Sequence, residues 1–497
     1  MNRPARAAAA CLAAALGVTG CTFGSGATLA PTSSHQPGPT VVPDLSWVEC
    51  PADVEAQFVS RHECGELTVL QNRERRDGPT LKLLVLKVWP VGAEPEPGLG
   101  TTFGKDPGMP GSLGGDVAAG ATRARRIVAN LSPRGTVGNT DVPLTCPEVD
   151  QVATAAVPDQ DQATREAFVS AVAGCAARLR AAGLEPADYG AAANAGDIED
   201  LRMALGEEVW GGGGSQGTTS RTALAYIARY PGRVEKLVLD SPASAEVDPL
   251  TAGVLGLDSA LAELAQAHPG LLASWRKALA VTGSTALTGT SGGVRVIVDD
   301  AKLVRLVRGA LGGDGPEHVG AVPAMIAAAA RGRLHPALAG LAAADPPFCS
   351  GYIAMCRDRS TFALGLFLTD FCDQLPSDRS RLEEAVAGRS AYRRAFAESP
   401  YEEACRAWSV PSADPTSVAT SDVPTLLLSG GLDSFSRPEW SNRLAQRLGP
   451  RAWSVAIPGH THNVLGSSEC AITLRDNWRA APPAAPADSC EDGKEGP

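Results

Sequence analysis

A serine within a short run of small residues is the first feature of the sequence that could do chemistry. Gly213–Gly217 (GGSQG) fits the G-x-S-x-G pattern, in which a sharp turn between a strand and a helix exposes the serine hydroxyl. The turn is expected to strain the serine backbone and to exclude bulky neighbours. The helix that follows would direct backbone N–H groups at developing negative charge. Ser215 is therefore predicted to be a nucleophile, and a Gly-rich surface loop is the alternative.

The same pattern occurs a second time, as is unsurprising in a chain with 53 glycines. Gly289–Gly293 (GTSGG) is followed by an extended run, Val294–Val298. Ser215, by contrast, is followed by a helical stretch from Thr218 to Tyr230 and then by a strand-like run, Val234–Leu239. Because the pattern has chemical meaning only between a strand and a helix, the context favours Ser215.

An aspartate after a late apolar run is the candidate acid. Pro424–Leu428 (PTLLL) is typical of a buried strand, and it continues directly into the Gly-rich turn Ser429–Asp433 (SGGLD). In folds that use G-x-S-x-G, the acid follows the serine in the chain and precedes the histidine. Asp433 would hold the imidazole in one tautomer and stabilise the imidazolium. The alternative is an aspartate that only caps its own turn.

Two histidines follow the acid and are candidates for the general base. His460 and His462 come after the predicted strand Ala452–Ile457 and a Pro-Gly turn. One of them would take the proton of Ser215 and pass it to the leaving group. Spacing alone barely separates the two. A metal-binding H-x-H pair is the other interpretation, but no third ligand lies nearby at a convincing spacing.

The elements that would position these residues alternate between strand and helix. Leu81–Val88 and Ile127–Asn130 are predicted strands, and Ala195–Gly206 is predicted to be an amphipathic helix. Together with the runs around Ser215, this alternation implies parallel β-α-β units. The predicted fold class is α/β, with a mostly parallel, doubly wound sheet.

The chain of 497 residues is longer than one compact core usually absorbs, so an insertion is expected. Residues 245–420 show helical periodicity with little strand signal, which predicts a helical cap inserted into the sheet domain. The predicted organisation is a signal peptide at 1–20, a lipidated cysteine and flexible tether at 21–45, the sheet domain at 46–244 and 421–479 around the cap, and a tail at 480–497.

The N-terminal residues are predicted to direct export. Arg3 and Arg6 precede the short apolar stretch Ala7–Val18, which is typical of a signal peptide. Val18–Cys21 (VTGC) resembles the lipobox of bacterial lipoproteins, in which the cysteine receives a diacylglycerol and becomes the mature N-terminus. Cys21 would then anchor the protein to the outer face of the cell membrane, and this lipid would be the protein's sole membrane contact. Ordinary secretion is the alternative.

The net charge and the cysteines indicate which partners, disulfides and cofactors are expected. A net charge of −11 repels phosphate backbones, so nucleic acid is not an expected partner. Ten cysteines remain beyond Cys11 and Cys21, and an even number in an exported protein suggests five disulfides. Sequential pairing is the simplest arrangement. No C-x-x-C motif is present, and neither a metal nor an organic cofactor is predicted.

Several segments together resemble the tripeptidyl-aminopeptidase-like branch of the α/β-hydrolase peptidases, which is known from exported actinobacterial enzymes and is related to proline iminopeptidases. The resemblance extends from Cys50 to Cys490. The segments that carry it are Glu63–Val69, Pro133–Thr136, Leu144–Cys146, Gly214–Thr218, Tyr230–Val234, Leu237–Asp240 and Pro458–Gly466. It implies an α/β-hydrolase fold with an inserted helical cap and a triad of Ser215, Asp433 and His462.

The resemblance also implies roles for individual residues. Pro458–Gly466 (PGHTHNVLG) is similar to the family's PGxGHxxLG segment, which makes His462 the catalytic histidine. The family's GGPG oxyanion loop corresponds to Gly108–Gly111 (GMPG), or in another register to Pro107-Gly108. The implied oxyanion donors are the backbone N–H groups of Gln216 and Met109.

The implied activity is cleavage of a peptide near its N-terminus, releasing a short fragment beneath the cap. Such a peptidase needs an acidic group for the substrate's ammonium, and Glu398, Glu402 and Glu403 are candidates by location, against the alternative of a solvated helix face. An esterase or lipase with the same triad is a second hypothesis, so the expected partner is a peptide or ester substrate. A catalytically silent binding lipoprotein is a third. No oligomeric state is predicted.

Overall fold

The computed structural model describes residues 43–490 with internal gaps. The gaps are 57–59, 93, 104–112, 137–142, 151, 153–161, 244–245, 313–315, 345–361, 413–419 and 487–489. The predictions made for the signal peptide, Cys21 and most of the tether therefore lie outside the described residues. So do those for Met109, Cys349 and Cys356.

A nine-stranded sheet forms the centre of the described chain, in the order β1-β2-β3-β5-β4-β6-β7-β10-β11. The first three pairings are antiparallel, and every pairing from β5 onward is parallel. The strands are β1 Asp44–Val48, β2 His62–Leu70, β3 Thr80–Val88, β4 Glu96–Thr102, β5 Arg126–Leu131, β6 Gly212–Gln216, β7 Leu237–Asp240, β10 Thr425–Gly430 and β11 Ala452–Ile457. The prediction of a mostly parallel, doubly wound sheet is confirmed.

Helices connect the strands and pack on both sides of the sheet. Before β7 they are Ala52–Glu55, Leu113–Ala124, Pro147–Asp150, Gln162–Ala181, Ala191–Ala204 and Ser220–Arg229, with short 3₁₀ turns at Pro186–Tyr189 and Gly217–Thr219. After β10 they are Pro438–Leu448, Val464–Ser467 and Glu469–Ala480. Strand and helix therefore alternate along the chain, as the sequence pattern predicts.

The segment between β7 and β10 is mainly helical. Its helices are Pro249–Ala267, Leu271–Ser284, Asp300–Leu311, Pro316–Ala329, Pro336–Ala344, Leu364–Cys372, Ser380–Ala385, Ser390–Tyr392 and Tyr401–Trp408, with a π-helical turn at Arg393–Ala397. A two-stranded hairpin, β8 Leu287–Ser291 and β9 Val294–Val298, lies among them. Residues 42–497 form one compact unit, so the cap boundaries at 245 and 420 stay a prediction.

Two long helical patterns are interrupted where glycine takes a left-handed conformation. The periodic stretch Leu255–Ala280 forms two helices, because Gly270 (φ 84°) breaks it one residue after Pro269. The stretch Pro316–Ala344 is divided near Gly332 (φ 69°). The second G-x-S-x-G match lies in the hairpin, where Gly292 and Gly293 form the turn after β8.

The glycines of the central strands leave room for large side chains from neighbouring elements. A Cβ atom at Gly213 would lie 2.4 Å from Cε2 of Phe103, which is fully buried beside β6. Phe103 in turn contacts Tyr226 of the helix behind the sheet, with ring centroids 5.1 Å apart. A side chain at Gly213 would therefore displace the ring of Phe103.

The helix Ala191–Ala204 corrects the prediction of an amphipathic helix at Ala195–Gly206. Residues 195–202 are all buried, including four charged side chains: Asp197, Glu199, Asp200 and Arg202. These charges are paired inside the protein instead of facing water. Arg134, from the predicted turn after β5, is fully buried and binds Asp197 through two nitrogens at 2.7 and 2.6 Å.

Within the described residues, four disulfides join cysteines that neighbour each other in the sequence. They are Cys50–Cys64, Cys146–Cys175, Cys372–Cys405 and Cys470–Cys490. Sequential pairing is confirmed for these eight cysteines. The last bridge ties the Pro-rich tail to the final helix.

Removing the carboxylate of Asp197 tests the importance of the buried pair. Asp197→Asn leaves the guanidinium of Arg134 buried without its anionic partner, so we expect the free energy of unfolding to fall by about 3–5 kcal/mol. Urea unfolding followed by tryptophan fluorescence measures it. Arg406→Ala, which removes an exposed ion pair with Glu402, should change it by less than about 1 kcal/mol. Equal effects of the two substitutions would contradict this interpretation.

Candidate active site

The carboxyl ends of four neighbouring parallel strands bring the predicted triad to one edge of the sheet. Gln216 at the end of β6 is in register with Asp240 at the end of β7. Asp240 is in register with Leu428 of β10, and the end of β10 is in register with Ile457, the last residue of β11. Ser215, Asp433 and His462 all lie at or just after these strand ends. Since neighbouring strands are about 4.8 Å apart, the three residues share one rim.

Asp433 lies at the centre of the site and is almost fully buried, with 1% of its surface exposed. Its Oδ2 accepts a hydrogen bond from Nδ1 of His462 at 2.9 Å. Its Oδ1 accepts from the backbone N–H groups of Phe435 and Ser436 at 2.7 and 2.9 Å. Asp433 therefore caps its own turn with one oxygen and orients the histidine with the other. Its interpretation as the acid and its interpretation as a turn-capping aspartate each describe part of this geometry.

His462 and His460 differ clearly in their surroundings. Nδ1 of His462 is bonded to Asp433, so Nε2 is the ring nitrogen that does not face the acid. The ring of Phe435 packs edge-on against His462, with centroids 5.7 Å apart. The ring of His460 instead lies 3.4 Å from the hydroxyl of Ser467, in an exposed position. The backbone carbonyl of His460 accepts a hydrogen bond from Leu432 N–H at 2.9 Å, in the turn that carries Asp433.

A glycine at the end of β10 allows the acid turn and the histidine loop to touch. A Cβ atom at Gly430 would lie 2.2 Å from the carbonyl oxygen of Thr461 and 2.3 Å from that of His460. No other residue type fits without moving one of the two loops. The next N–H, from Gly431, donates to the carbonyl of Ile457 at 2.9 Å. The contact between Asp433 and His462 therefore depends on the small residues of the SGG run.

Ser215 does not have the strained backbone expected of it. It is an internal residue of β6, which continues to Gln216, and the positive φ of the turn falls on Gly217 (φ 56°). Glycine accepts this conformation without the steric penalty that a serine would incur. The 3₁₀ turn and the helix Ser220–Arg229 then follow, so the strand–turn–helix order is as predicted.

The hydroxyl of Ser215 is hydrogen bonded to Thr219 and not to His462 within the described chain. The two hydroxyl oxygens are 2.8 Å apart. Thr219 donates its own proton to the carbonyl of Gln216 at 2.7 Å, so Ser215 must be the donor to Thr219. The N–H of Gln216, the predicted oxyanion donor, also points at Oγ1 of Thr219, at 3.3 Å. The hydroxyl of Thr219 therefore occupies the space between the nucleophile and the predicted oxyanion donor, a role that no sequence signal indicated.

The second predicted oxyanion donor, Met109, lies outside the described residues. The strand before it is correctly placed, because Thr102 at the end of β4 is in register with Gly214 of β6. Phe103 N–H continues the pairing by donating to the carbonyl of Gly214 at 2.9 Å. The segment that carries Met109 thus starts at the same rim as Ser215.

A small pocket that is partly open to solvent lies beside Thr219, the residue whose hydroxyl is bonded to Ser215. Phe103, Leu131, Ile198 and Leu366 give it an apolar lining. Its polar lining groups are Asn194, Thr218, Thr219, Thr222 and Asp370. Thr219, which contacts Ser215, belongs to this lining, whereas Ser215 itself does not. Asp370 was not singled out from the sequence, because one aspartate in an apolar helix carries no distinguishing pattern.

The glutamates considered for ammonium binding lie elsewhere. Glu402 forms ion pairs with Arg379 and Arg406, and Glu403 lies 3.8 Å from Arg406 on the same exposed helix. Glu398 is also exposed. None of the three lines the pocket beside Thr219.

Metal-ligand types gather at one place among the described residues. Sulfur, carboxylate and imidazole atoms of Cys50, Glu55 and His62 lie close together, but the sulfur of Cys50 is bonded to Cys64. A disulfide sulfur does not offer the thiolate that a metal needs, so this group supplies two ligands at most.

The C-terminal part of the chain matches a known family. Residues 390–481, which include Asp433 and His462, match the model of a family described as TAP-like protein. No curated protein matches the chain.

Solved structures provide distant likenesses. A proline iminopeptidase from Mycobacterium smegmatis is 13% identical, with 80% of this chain and 95% of that chain covered and a TM-score of 0.35. The carboxylesterase CesB from Bacillus subtilis is 12% identical, with 86% and 94% covered and a TM-score of 0.36. A probable hydrolytic enzyme from Pseudomonas aeruginosa PAO1 is 14% identical, with 86% and 96% covered and a TM-score of 0.38.

The chain has the α/β-hydrolase fold. Its strand order, its mostly parallel sheet and the family match of its C-terminal part agree on this point. The roles of Ser215, Asp433 and His462 as a triad, and of Gln216 and Met109 as oxyanion donors, stay predictions.

The two histidines offer a matched pair of substitutions. His462→Ala removes the ring that contacts Asp433, so we expect turnover of an activated ester to fall by about 10⁴-fold or more. His460→Ala removes an exposed ring two residues away and should leave turnover nearly unchanged. Steady-state kinetics with a p-nitrophenyl ester makes the comparison. A larger loss in His460→Ala than in His462→Ala would contradict the assignment.

Proposed function

We propose that the protein is an exported serine hydrolase, and that it is a peptidase releasing short fragments from the N-terminal ends of peptides. The observation that carries the proposal is the hydrogen bond between buried Asp433 and His462, formed at the rim where the strand of Ser215 ends. A buried aspartate bonded to Nδ1 of an imidazole, at the same sheet edge as a serine in G-x-S-x-G, is the arrangement used for nucleophilic acyl transfer.

The mechanism begins with rotation of the Ser215 hydroxyl away from Thr219. Its oxygen attacks the substrate carbonyl while Nε2 of His462 takes its proton, and Asp433 stabilises the imidazolium. The oxyanion replaces the hydroxyl of Thr219 as the acceptor of the Gln216 N–H, with Met109 N–H as the second donor. His462 then protonates the leaving amine, and an acyl-enzyme remains. Water repeats the sequence and releases the acid product.

The pocket beside Thr219 favours a substrate with a cationic end. Asp370 is its one carboxylate, and it lies among apolar side chains where a charge interaction is strengthened by the low dielectric. Arg221 lies 2.8 Å from Asp370 and 2.7 Å from Asp373, so one guanidinium is shared by two carboxylates. A carboxylate in the pocket lining would attract a substrate ammonium group.

An esterase with the same triad is the second candidate. The specific observation in its favour is the apolar lining of the pocket by Phe103, Leu131, Ile198 and Leu366, which suits a hydrocarbon acyl chain. The two candidates therefore differ in whether Asp370 contributes to substrate binding.

Export and lipid anchoring are part of the proposal. They rest on the signal-like N-terminus and on Cys21 within VTGC. The disulfides are consistent with an oxidising compartment. Among the described helices, none combines the length and the apolar character needed to span a bilayer.

An active-site probe tests the proposed class. A fluorophosphonate forms a covalent bond with an activated serine, so the wild-type protein should be labelled and Ser215→Ala should not. Ser291→Ala, in the second G-x-S-x-G match, is the control and should label like the wild type. Gel fluorescence measures the extent of labelling. Unlabelled wild type would favour a silent binding protein, and full labelling of Ser215→Ala would show that the nucleophile is another residue.

Paired aspartate substitutions test the peptidase. Asp370→Asn and Asp373→Asn each remove one carboxylate from Arg221, but only Asp370 lines the pocket. We expect Asp370→Asn to raise KM at least about tenfold for peptidyl coumarins with a free amino group, since a charged hydrogen bond is worth 1.5–3 kcal/mol. KM for p-nitrophenyl esters should not change. Ester turnover with no amide turnover by the wild type would support the esterase instead.

A further inference from the structure

A buried aspartate that is not part of the predicted triad lies beside it. Asp240 is the last residue of β7, the strand between the one that carries Ser215 and the one that leads to Asp433. It is in register with Gln216 on one side and with Leu428 on the other. Only 3% of its surface is exposed. A carboxylate in such a position needs a compensating set of donors.

The donors come from the segment that follows His462. Oδ1 of Asp240 accepts from Val464 N–H at 3.1 Å, and Oδ2 accepts from Leu465 N–H at 3.0 Å. Ser241 donates its hydroxyl to Oδ1 at 3.0 Å and accepts from Asn463 N–H at 3.0 Å. Three consecutive backbone N–H groups after the histidine are thus bound by two adjacent residues at the end of β7.

Both ends of this connection have an uncommon backbone conformation. Ser241 has φ 48° and Asn463 has φ 63°, and the left-handed region costs a non-glycine residue about 1–2 kcal/mol. Asn463 compensates in part by accepting a hydrogen bond from Gly466 N–H at 3.1 Å. Such conformations persist where surrounding contacts fix them, and here the contacts with Asp240 and Ser241 do so.

The charge of Asp240 also bears on His462. The pKa of Asp240 is raised because burial outweighs the contributions that lower it, which come from the N–H groups of Leu465 and Val464, the positive charge of His462 and the Ser241 hydroxyl. The donors therefore stabilise the carboxylate form that the imidazolium attracts. Asp433, on the turn after β10, is the hydrogen-bonded carboxylate of the same imidazole. The attraction is mutual, so a charge on Asp240 stabilises a positive charge on His462.

We propose that Asp240 is a positioning residue for His462. Its buried carboxylate, together with Ser241, fixes the segment 463–465 to the end of β7 and so holds the imidazole of His462 at this rim of the sheet. It also places a second negative charge beside the imidazolium that forms during acyl transfer. The role in catalysis rests on the proposed hydrolase function, but the effect on the histidine does not.

The titration of His462 tests the electrostatic part without requiring activity. NMR of the imidazole Hε1 signals, with His462→Gln to assign the resonance, gives the pKa of His462 in the wild type and in Asp240→Asn. The asparagine keeps one acceptor but has no charge, so the imidazolium loses an attraction and the pKa of His462 should fall by about 1 pH unit. An unchanged pKa in a folded variant overturns the proposal.

Kinetics tests the positioning part. We expect Asp240→Asn to lower kcat by about 10–100-fold with little change in KM, because a small displacement of a catalytic group can cost about 10²-fold. The acidic limb of kcat/KM should move to lower pH. Ser241→Ala removes the acceptor for Asn463 N–H but keeps the charge, so it should lower kcat without moving that limb.

Controls separate this role from a loss of stability and from failure of the proposed function. Asp197→Asn removes another buried carboxylate, one not bonded to the histidine loop, and should leave the pKa of His462 and the acidic limb unchanged. If Asp240→Asn does not fold, Ser241→Ala decides the positioning claim, and wild-type kcat in that variant overturns it. If the wild type is not labelled by a fluorophosphonate, the hydrolase proposal fails while the NMR titration still tests Asp240.

Discussion

The hydrogen bond between the imidazole of His462 and the buried carboxylate of Asp433 is the interaction on which the rest of the site depends. It forms only because two loops from neighbouring strands touch, and they touch because Gly430 has no side chain. Removing a carboxylate from water is costly, and Asp433 recovers this cost through two backbone N–H groups and the histidine. The acid therefore has one stable arrangement, and that arrangement orients the base.

The nucleophile is positioned by different means. Glycines in β6 leave space for Phe103 at the sheet surface, and Gly217 takes the positive φ of the turn, so Ser215 stays within a regular strand. Its hydroxyl donates a hydrogen bond to the hydroxyl of Thr219. Attack thus requires a rotation about one side-chain bond of Ser215. A substrate carbonyl would favour this rotation if it displaced the hydroxyl of Thr219 from the Gln216 N–H.

Much of this arrangement could be predicted from the sequence. The G-x-S-x-G match at Ser215 and the strands before Asp433 and His462 give strong local signals, because apolar runs and Gly-rich turns have few structural alternatives. The choice of His462 over His460 came from family resemblance, since spacing cannot show which ring meets the acid. Asp240 was not singled out, because its contacts join it to residues that are distant in sequence. Thr219 was not singled out, because its contacts lie within one helical turn. The buried charges of the helix Ala191–Ala204 were misjudged because a polar residue in a helix usually faces water.

The distance between the base and the nucleophile in a covalent adduct tests the central claim most directly. A crystal structure of the phosphonylated protein would show which residue carries phosphorus and how far Nε2 of His462 lies from Oγ of that residue. Our account predicts phosphorus on Ser215 with the imidazole within about 3.5 Å of Oγ and still bonded to Asp433. Phosphorus on another residue, or an imidazole that does not face Ser215, would contradict it.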